Sequence, residues 1–102
     1  MIPKKAKILD IGCASGRDIE YFAKEGFLVT GIDASKKLLL ECKKNVKSRK
    51  VTLKNMDINS LKFKKNSFEG VWCCNTLSHI KKKDLLKVLK KLKDILKKDG
   101  II

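Results

Sequence analysis

The sequence predicts an α/β protein built on one parallel sheet of four to five strands with helices packed on both faces. Three observations carry this reading. Short apolar runs alternate with longer segments at helical spacing, the pattern that stacks βαβ units into a parallel sheet. Three of the runs end in an acid: Asp10, Asp33 and Asp57. The first run is followed by a turn, Gly12-Cys13-Ala14-Ser15-Gly16, that opens into a helix-like pattern. A glycine turn at the carboxyl end of a first strand is how such sheets build nucleotide pockets.

The elements follow in order. Lys7 to Ile11 is a short apolar strand behind Pro3 and a basic lead-in. After the turn, Ile19, Tyr21, Phe22 and Ala23 fall on helical spacing, with Asp18 and Glu20 in the first turn, where the helix dipole favours acids. Gly26 stops this helix. Phe27 to Ile32 is a second, largely buried strand ending at Asp33. Ser35 is a good N-cap for a helix carrying Leu38, Leu39, Leu40, Cys42 and Val46. Val51 to Met56 is a third strand ending at Asp57. Its apolar positions alternate and lysine-rich stretches flank it, as suits a sheet edge. Phe68 to Cys74 is the fourth strand, ending at Asn75. The longest helix then carries Leu85, Leu86, Val88, Leu89, Leu92, Ile95 and Leu96 as one apolar stripe. Asp99-Gly100 stops it, and Ile101-Ile102 begins another strand. Trp72 and Tyr21 are expected in the core. The 102 residues form one domain without repeats or linkers.

The net charge of +14 raises the question of nucleic acid. Only Arg17 and Arg49 are arginines, and the lysines are scattered from Lys4 to Lys98. Guanidinium is the usual tool for bidentate phosphate and base contacts. A lysine-rich composition that keeps a small protein in solution is therefore the better account, and no specific nucleic-acid contact is expected. No apolar run approaches a membrane span and the N-terminus lacks a signal-peptide core, so the expected location is cytoplasmic, without membrane contact. Cys13, Cys42, Cys73 and Cys74 form no C-x-x-C pair, and the lone His79 completes no metal-ligand spacing. Reduced thiols and no metal are expected.

Three acids at strand tips, in a chain so basic, suit a ligand with hydroxyls, amines and positive charge. The competing account is that each acid caps the turn or helix after it. Gly12 and Gly16 let the main chain turn sharply and approach a ligand. The dinucleotide fingerprint G-x-G-x-x-G is not met, because Ala14 and Arg17 stand at its second and third glycines. Asp33 lies at about the distance from the turn at which an acid grips ribose hydroxyls.

With these residues in view, the chain resembles the class I S-adenosylmethionine (SAM)-dependent methyltransferases of the small-molecule, "methyltransferase domain" type. Ile8 to Gly16 is similar to the first motif of that family, Gly31-Ile32-Asp33-Ala34-Ser35 to the second and Met56-Asp57-Ile58 to the third. Phe68 to Ile80 is similar to the fourth, and Leu96-Lys97-Lys98-Asp99-Gly100 to the segment before the fifth strand. The resemblance implies a three-layer Rossmann-like sheet, a partial class I methyltransferase fold, and SAM as cofactor. It implies that Asp10, Gly12 and Gly16 surround the methionine part, with Cys13 of the same turn also cofactor-binding. Asp33 would hold the ribose hydroxyls and Asp57 the adenine amine, with Ala34 and Ile58 beside the ring. Cys74 and Asn75 would line the pocket near the sulfonium, and His79 the substrate side. Two residues depart from the family pattern: Ala14 replaces a glycine, and Ala34 a bulkier apolar residue. His79 is either a catalytic base or substrate contact, or a loop residue that packs against the long helix.

The family sheet ordinarily has seven strands. The expectation is therefore a single, incomplete SAM-binding domain over residues 1–102, a fragment with the cofactor half of its site. Its exposed sheet edge would take a partner chain or a second copy. The expected reaction is methyl transfer to a small-molecule acceptor that the sequence does not name. The alternatives are a non-catalytic SAM-binding module and a basic nucleic-acid accessory protein.

Overall fold

The computed structural model describes residues 6–13, 16–73 and 80–101. Five strands form one sheet: β1 (Lys7–Ile11), β2 (Leu28–Asp33), β3 (Val51–Asn55), β4 (Phe68–Cys73) and β5 (Leu96–Ile101). The helices are α1 (Arg17–Lys24), α2 (Lys36–Asn45) and α3 (Lys82–Ile95), with a 3-10 turn at Ile58–Ser60. The strand order is β3-β2-β1-β4-β5, and every pairing is parallel. β1 is central, and β3 lies at an edge as its alternating pattern predicts.

The chain leaves β1 toward β2 and β3 first, then returns to β4 and β5 on the other side. Crossovers of one hand running in opposite directions must put their helices on opposite faces. The packing agrees. Ile19 of α1 and Leu39 and Cys42 of α2 share one core with Val29 and Cys13. Val88, Leu92 and Ile95 of α3 share another with Leu9, Ile11, Ile32 and Val71. The sheet is thus a wall between two cores, which gives the three layers.

Local chemistry explains the helix starts. The Ser35 hydroxyl accepts from the Leu38 N–H at 3.2 Å, satisfying one amide of the first turn of α2. Ser35→Ala is expected to destabilise the chain by about 1 kcal/mol; a shift of the urea midpoint at constant slope is the measurement. α1 starts from Gly16, whose φ of 90° is left-handed and which makes no side-chain cap.

Several expectations are corrected. The apolar stripe of α3 is narrower than the sequence suggests. Val88, Leu92 and Ile95 are buried, whereas Leu86 is 69% exposed and Leu89 39%. At about 100° per residue Leu86 sits roughly 160° around from Val88, beyond the reach of the sheet. Leu96 is not helical: it is buried as the first residue of β5, so α3 runs into the strand without a loop and Asp99-Gly100 lies inside the strand. Met56 lies just outside β3. Tyr21 and Trp72 are not core residues, being 62% and 44% exposed. α1 is eight residues long and packs mainly on β2. It reaches β4 at Trp72, which meets Phe22 edge-on, at 5.8 Å between ring centroids, and stays partly exposed.

Candidate functional site

The order of the sheet reverses between β1 and β4, and open parallel sheets bind ligands outside the strand tips at such a point. On the β2 side, the order brings the tips of β1, β2 and β3 side by side, carrying Asp10, Asp33 and the segment that reaches Asp57. The turn after β1 is tied to this ridge. Gly12 N–H and Cys13 N–H both donate to Ile32 O, at 2.9 and 3.1 Å. Gly16 N–H closes the turn onto Cys13 O at 2.9 Å. Gly12 and Gly16 both have positive φ, 74° and 90°. Side-chain space decides the second: a Cβ on Gly16 would lie 2.6 Å from Val46 Cγ2 and 2.8 Å from Cys42 Sγ. That position accepts glycine alone, because the turn presses directly on α2.

The three acids have different surroundings. Asp57 is exposed, and its Oδ1 accepts from Asn59 N–H at 2.9 Å, capping the 3-10 turn. Asp33 is buried, at 9% exposure, and its Oδ1 accepts from Ser35 N–H at 2.9 Å. The tip of β2 is further held by Asn55, whose side-chain amide donates to Asp33 O and Ala34 O at 2.8 and 3.2 Å. Capping therefore accounts for one oxygen of each of these two acids. Asp10 is different. It is 2% exposed, and its Oδ2 has no hydrogen-bond partner among the described residues. Burial, reinforced by the charges of Asp18 and Asp33, raises its carboxyl from the ordinary 3.8 to about 7.

The neighbouring cysteines are free thiols. Cys13 and Cys42 are buried against each other beneath the turn, and their side chains hydrogen-bond. Burial pushes both thiols up, and the charges of Asp10 and Asp33 add to it. Burial also raises Cys73, to about 11. Thiols held in this way are inert packing groups rather than nucleophiles.

Of the remaining expected residues, Ala34 is exposed at the β2 tip. Ile58 is half-buried on the opposite face, packed against the α3 core. Cys74, Asn75 and His79 lie outside the described residues. Ile58 also lines a groove of about 310 Å³ between the 3-10 turn and α3, with Lys87, Lys90 and Asp94. A second groove, of about 400 Å³, lies near the opposite end of the sheet, at Lys7, Leu28 and Lys50. Neither includes Asp10 or Asp33, so the chemical case rests on the strand tips. Sequence reasoning missed two participants. Asp18 reads as a helix-dipole acid, yet it acts on Asp10 and accepts from the Trp72 indole N–H at 3.2 Å. Trp72 itself stands opposite Asp10 in the β1–β4 register, which strand alignment alone would have exposed.

The chain is similar to known proteins. YqeM of Bacillus subtilis, a protein named as a methyltransferase, is 32% identical over 104 residues, covering 99% of this chain and 42% of its own length. The ubiquinone biosynthesis O-methyltransferase of Haemophilus ducreyi is 30% identical over 103 residues, covering 94% of this chain and 43% of the relative. The chain thus spans about two fifths of these curated relatives. The structure of a TehB-like SAM-dependent methyltransferase from Corynebacterium glutamicum superposes with a TM-score of 0.85 at 26% identity, covering 99% of this chain and 56% of that one. Among the described residues no helix is long and apolar enough to cross a membrane. The methyltransferase domain profile matches residues 8–100, and the chain accordingly belongs to the methyltransferase domain family.

Proposed function

We propose that this chain binds SAM across the tips of β1 and β2 and serves methyl transfer to a small-molecule acceptor, as one incomplete domain spanning residues 1–102. The observation that carries the reading is the buried pair Asp10 and Asp33 on adjacent strand tips, joined to a left-handed glycine turn. The Oδ2 of Asp10, without a partner among the described residues, fits a cationic ligand, because an added positive group would supply one.

The chain's own residues then divide the work. Asp10, Gly12, Cys13 and Gly16 would hold the methionine end. Asp33 would accept from the ribose hydroxyls, its other oxygen engaged by the Ser35 N–H. Asp57 would hold the adenine amine, with Ala34 and Ile58 as the apolar residues assigned to the ring, Ile58 from its place against the α3 core. Cys74 and Asn75 would serve the sulfonium end, and His79 would take the acceptor's proton where the nucleophile must lose one. SAM supplies an activated methyl group, transferred in a single in-line displacement. Catalysis by the protein is then orientation: it holds donor and acceptor in line.

Charge-assisted hydrogen bonds of the Asp33 kind contribute roughly 1.5–3 kcal/mol. Asp33→Ala is accordingly expected to weaken SAM binding by about one to two decades, read by calorimetry. Unchanged affinity would remove the ribose from this position. Failure of SAM and S-adenosylhomocysteine to bind at millimolar concentration, with polyanion binding that survives moderate salt, would overturn the cofactor reading in favour of a nucleic-acid role.

A second reading, favoured by the chain spanning only about two fifths of its relatives' length, is that it acts as a SAM-binding module that needs a partner chain or a second copy for turnover. Methyl transfer from labelled SAM to a metabolite panel, by the chain alone, separates the two.

A further inference from the structure

We propose that Asp10 carries a proton in the ligand-free chain and releases it when a cationic ligand binds at the strand tips, so that cofactor binding is coupled to proton release. The inference rests on the SAM reading above and adds a pH control to that site.

The argument starts from position. β1 is the central strand, so Asp10 is flanked by β2 and β4, and it points to the face covered by α1 and α2. It is 2% exposed, with Oδ2 lacking a partner among the described residues. The titratable groups that act on it or feel its charge come from every element packed around it. Among the residues whose side chains are described, they are Asp33 from β2, Asp18 from α1, Cys13 from the turn, Cys42 from α2 and Cys73 from β4, all acids or thiols. Among those same side chains no lysine or arginine acts on this carboxyl, even in a chain of charge +14.

An ionised carboxylate here would lose its hydration, leave an oxygen without a donor and face two like charges. Protonation removes the charge, and with it the repulsion and most of the hydration loss, leaving the smaller cost of a neutral polar atom. Asp18 is held in place by the Trp72 indole, at 3.2 Å, so the repulsion is built into the fold. A sulfonium or ammonium entering beside Asp10 reverses the balance: attraction now favours the ionised form, and the proton leaves to solvent. Asp10 is therefore neutral in the ligand-free chain and ionised when a cation is bound beside it. A neutral competitor gains nothing from this change, which gives selectivity for charge without a permanent buried ion.

Two measurements on the 102-residue chain test the proposal. Carbon-detected carboxyl NMR of the ligand-free protein should show one carboxyl with a midpoint near pH 7. That signal should be absent in Asp10→Asn and shifted to lower pH in Asp18→Asn. Calorimetry with SAM in buffers of different ionisation enthalpy should show about nine-tenths of a proton released per ligand at pH 6 and about half at pH 7. Apparent affinity should fall about tenfold for each pH unit below 6. In Asp10→Asn the release should vanish. If that variant binds too weakly to measure, Asp18→Asn carries the test, releasing less than wild type at pH 7. Carboxyl midpoints all below pH 5.5, or binding with no proton release, would overturn the coupling while leaving the cofactor reading intact. A midpoint near 7 with no SAM binding at any pH would sink the cofactor reading instead.

Discussion

Gly16→Ala is expected to destabilise the chain by about 3 kcal/mol or more. Two independent terms add. The residue has φ of 90°, where a side chain costs roughly 1–2 kcal/mol. The new Cβ would also meet Val46 Cγ2 at 2.6 Å, Cys42 Sγ at 2.8 Å and the Cys42 backbone Cα at 3.7 Å. Overpacking of this kind costs roughly 1–3 kcal/mol. The first term belongs to the backbone and the second to α2, so they can be separated. Adding Val46→Ala should recover part of the loss and leave the rest, which a double-mutant cycle on urea midpoints would read. Complete recovery would mean that the backbone conformation is not strained by a side chain. The loss should also reach the ligand, because the turn that Gly16 closes is the one that carries Gly12 and Cys13.

Stability should fall with rising pH, opposite to the usual behaviour of a protein rich in satisfied carboxylates. The cause is again Asp10. Its folded pKa is about 7 against an ordinary 3.8, so between these values the folded chain binds a proton that the unfolded chain does not. The contribution is fully present below the lower value and is lost as pH rises through the upper one. Between pH 5 and pH 8 the loss is roughly 3 kcal/mol, a large fraction of the 5–15 kcal/mol typical of a domain. Glu69 works in the other direction, at lower pH. Its partial burial acts to raise it, but the hydrogen bonds from Lys97 Nζ at 2.6 Å and from Lys7 N–H outweigh this and hold it below its ordinary value. Its stabilisation is lost only as pH falls through the acid range, outside the Asp10 window. His79 is the sole histidine, so urea titrations in a His79→Gln background leave Asp10 as the main titrating group between pH 5 and 8. Asp10→Asn should flatten the profile and be more stable than wild type at pH 8. A profile that stays sloped in that variant would place the titration elsewhere.

The fold was legible in the sequence where one residue decides one thing. The alternation in Val51 to Met56 marked β3 as an edge, Ser35 marked the start of α2, and the acid-glycine turn marked the end of β1. What could not be read depends on distances across the sheet. Trp72 has the composition of a core residue, yet it meets α1 only through Phe22 and Asp18 and stays partly exposed. Leu86 and Leu89 look like part of the α3 stripe because periodicity does not say how wide a face the sheet can cover. The same holds at the site. That three acids sit at strand tips is visible in the sequence, but their different environments are not. Asp57 is solvated, Asp33 is capped, and Asp10 is enclosed with Asp18, a residue from the next element. Burial is a property of the assembled layers, and the chemistry of Asp10 follows from burial.

The two cores divided by the sheet bear on the order in which the molecule opens. Leu9 and Ile11 anchor β1 in the larger core with Val88, Leu92 and Ile95, while the smaller core holds α1 and α2 through Ile19, Leu39 and Cys42. Local opening is easiest where the least apolar surface is enclosed. In hydrogen exchange, the amides of α2 and β3 should therefore trade first, and those of β1 and β4 last. Asp10 hangs from the slow unit, whereas Asp33 reaches the fast one through its contacts with Ser35 and Asn55. A bound ligand that bridges the two acids would clamp the fast unit to the slow one. Protection gained on α2, far more than on β1, would be its signature.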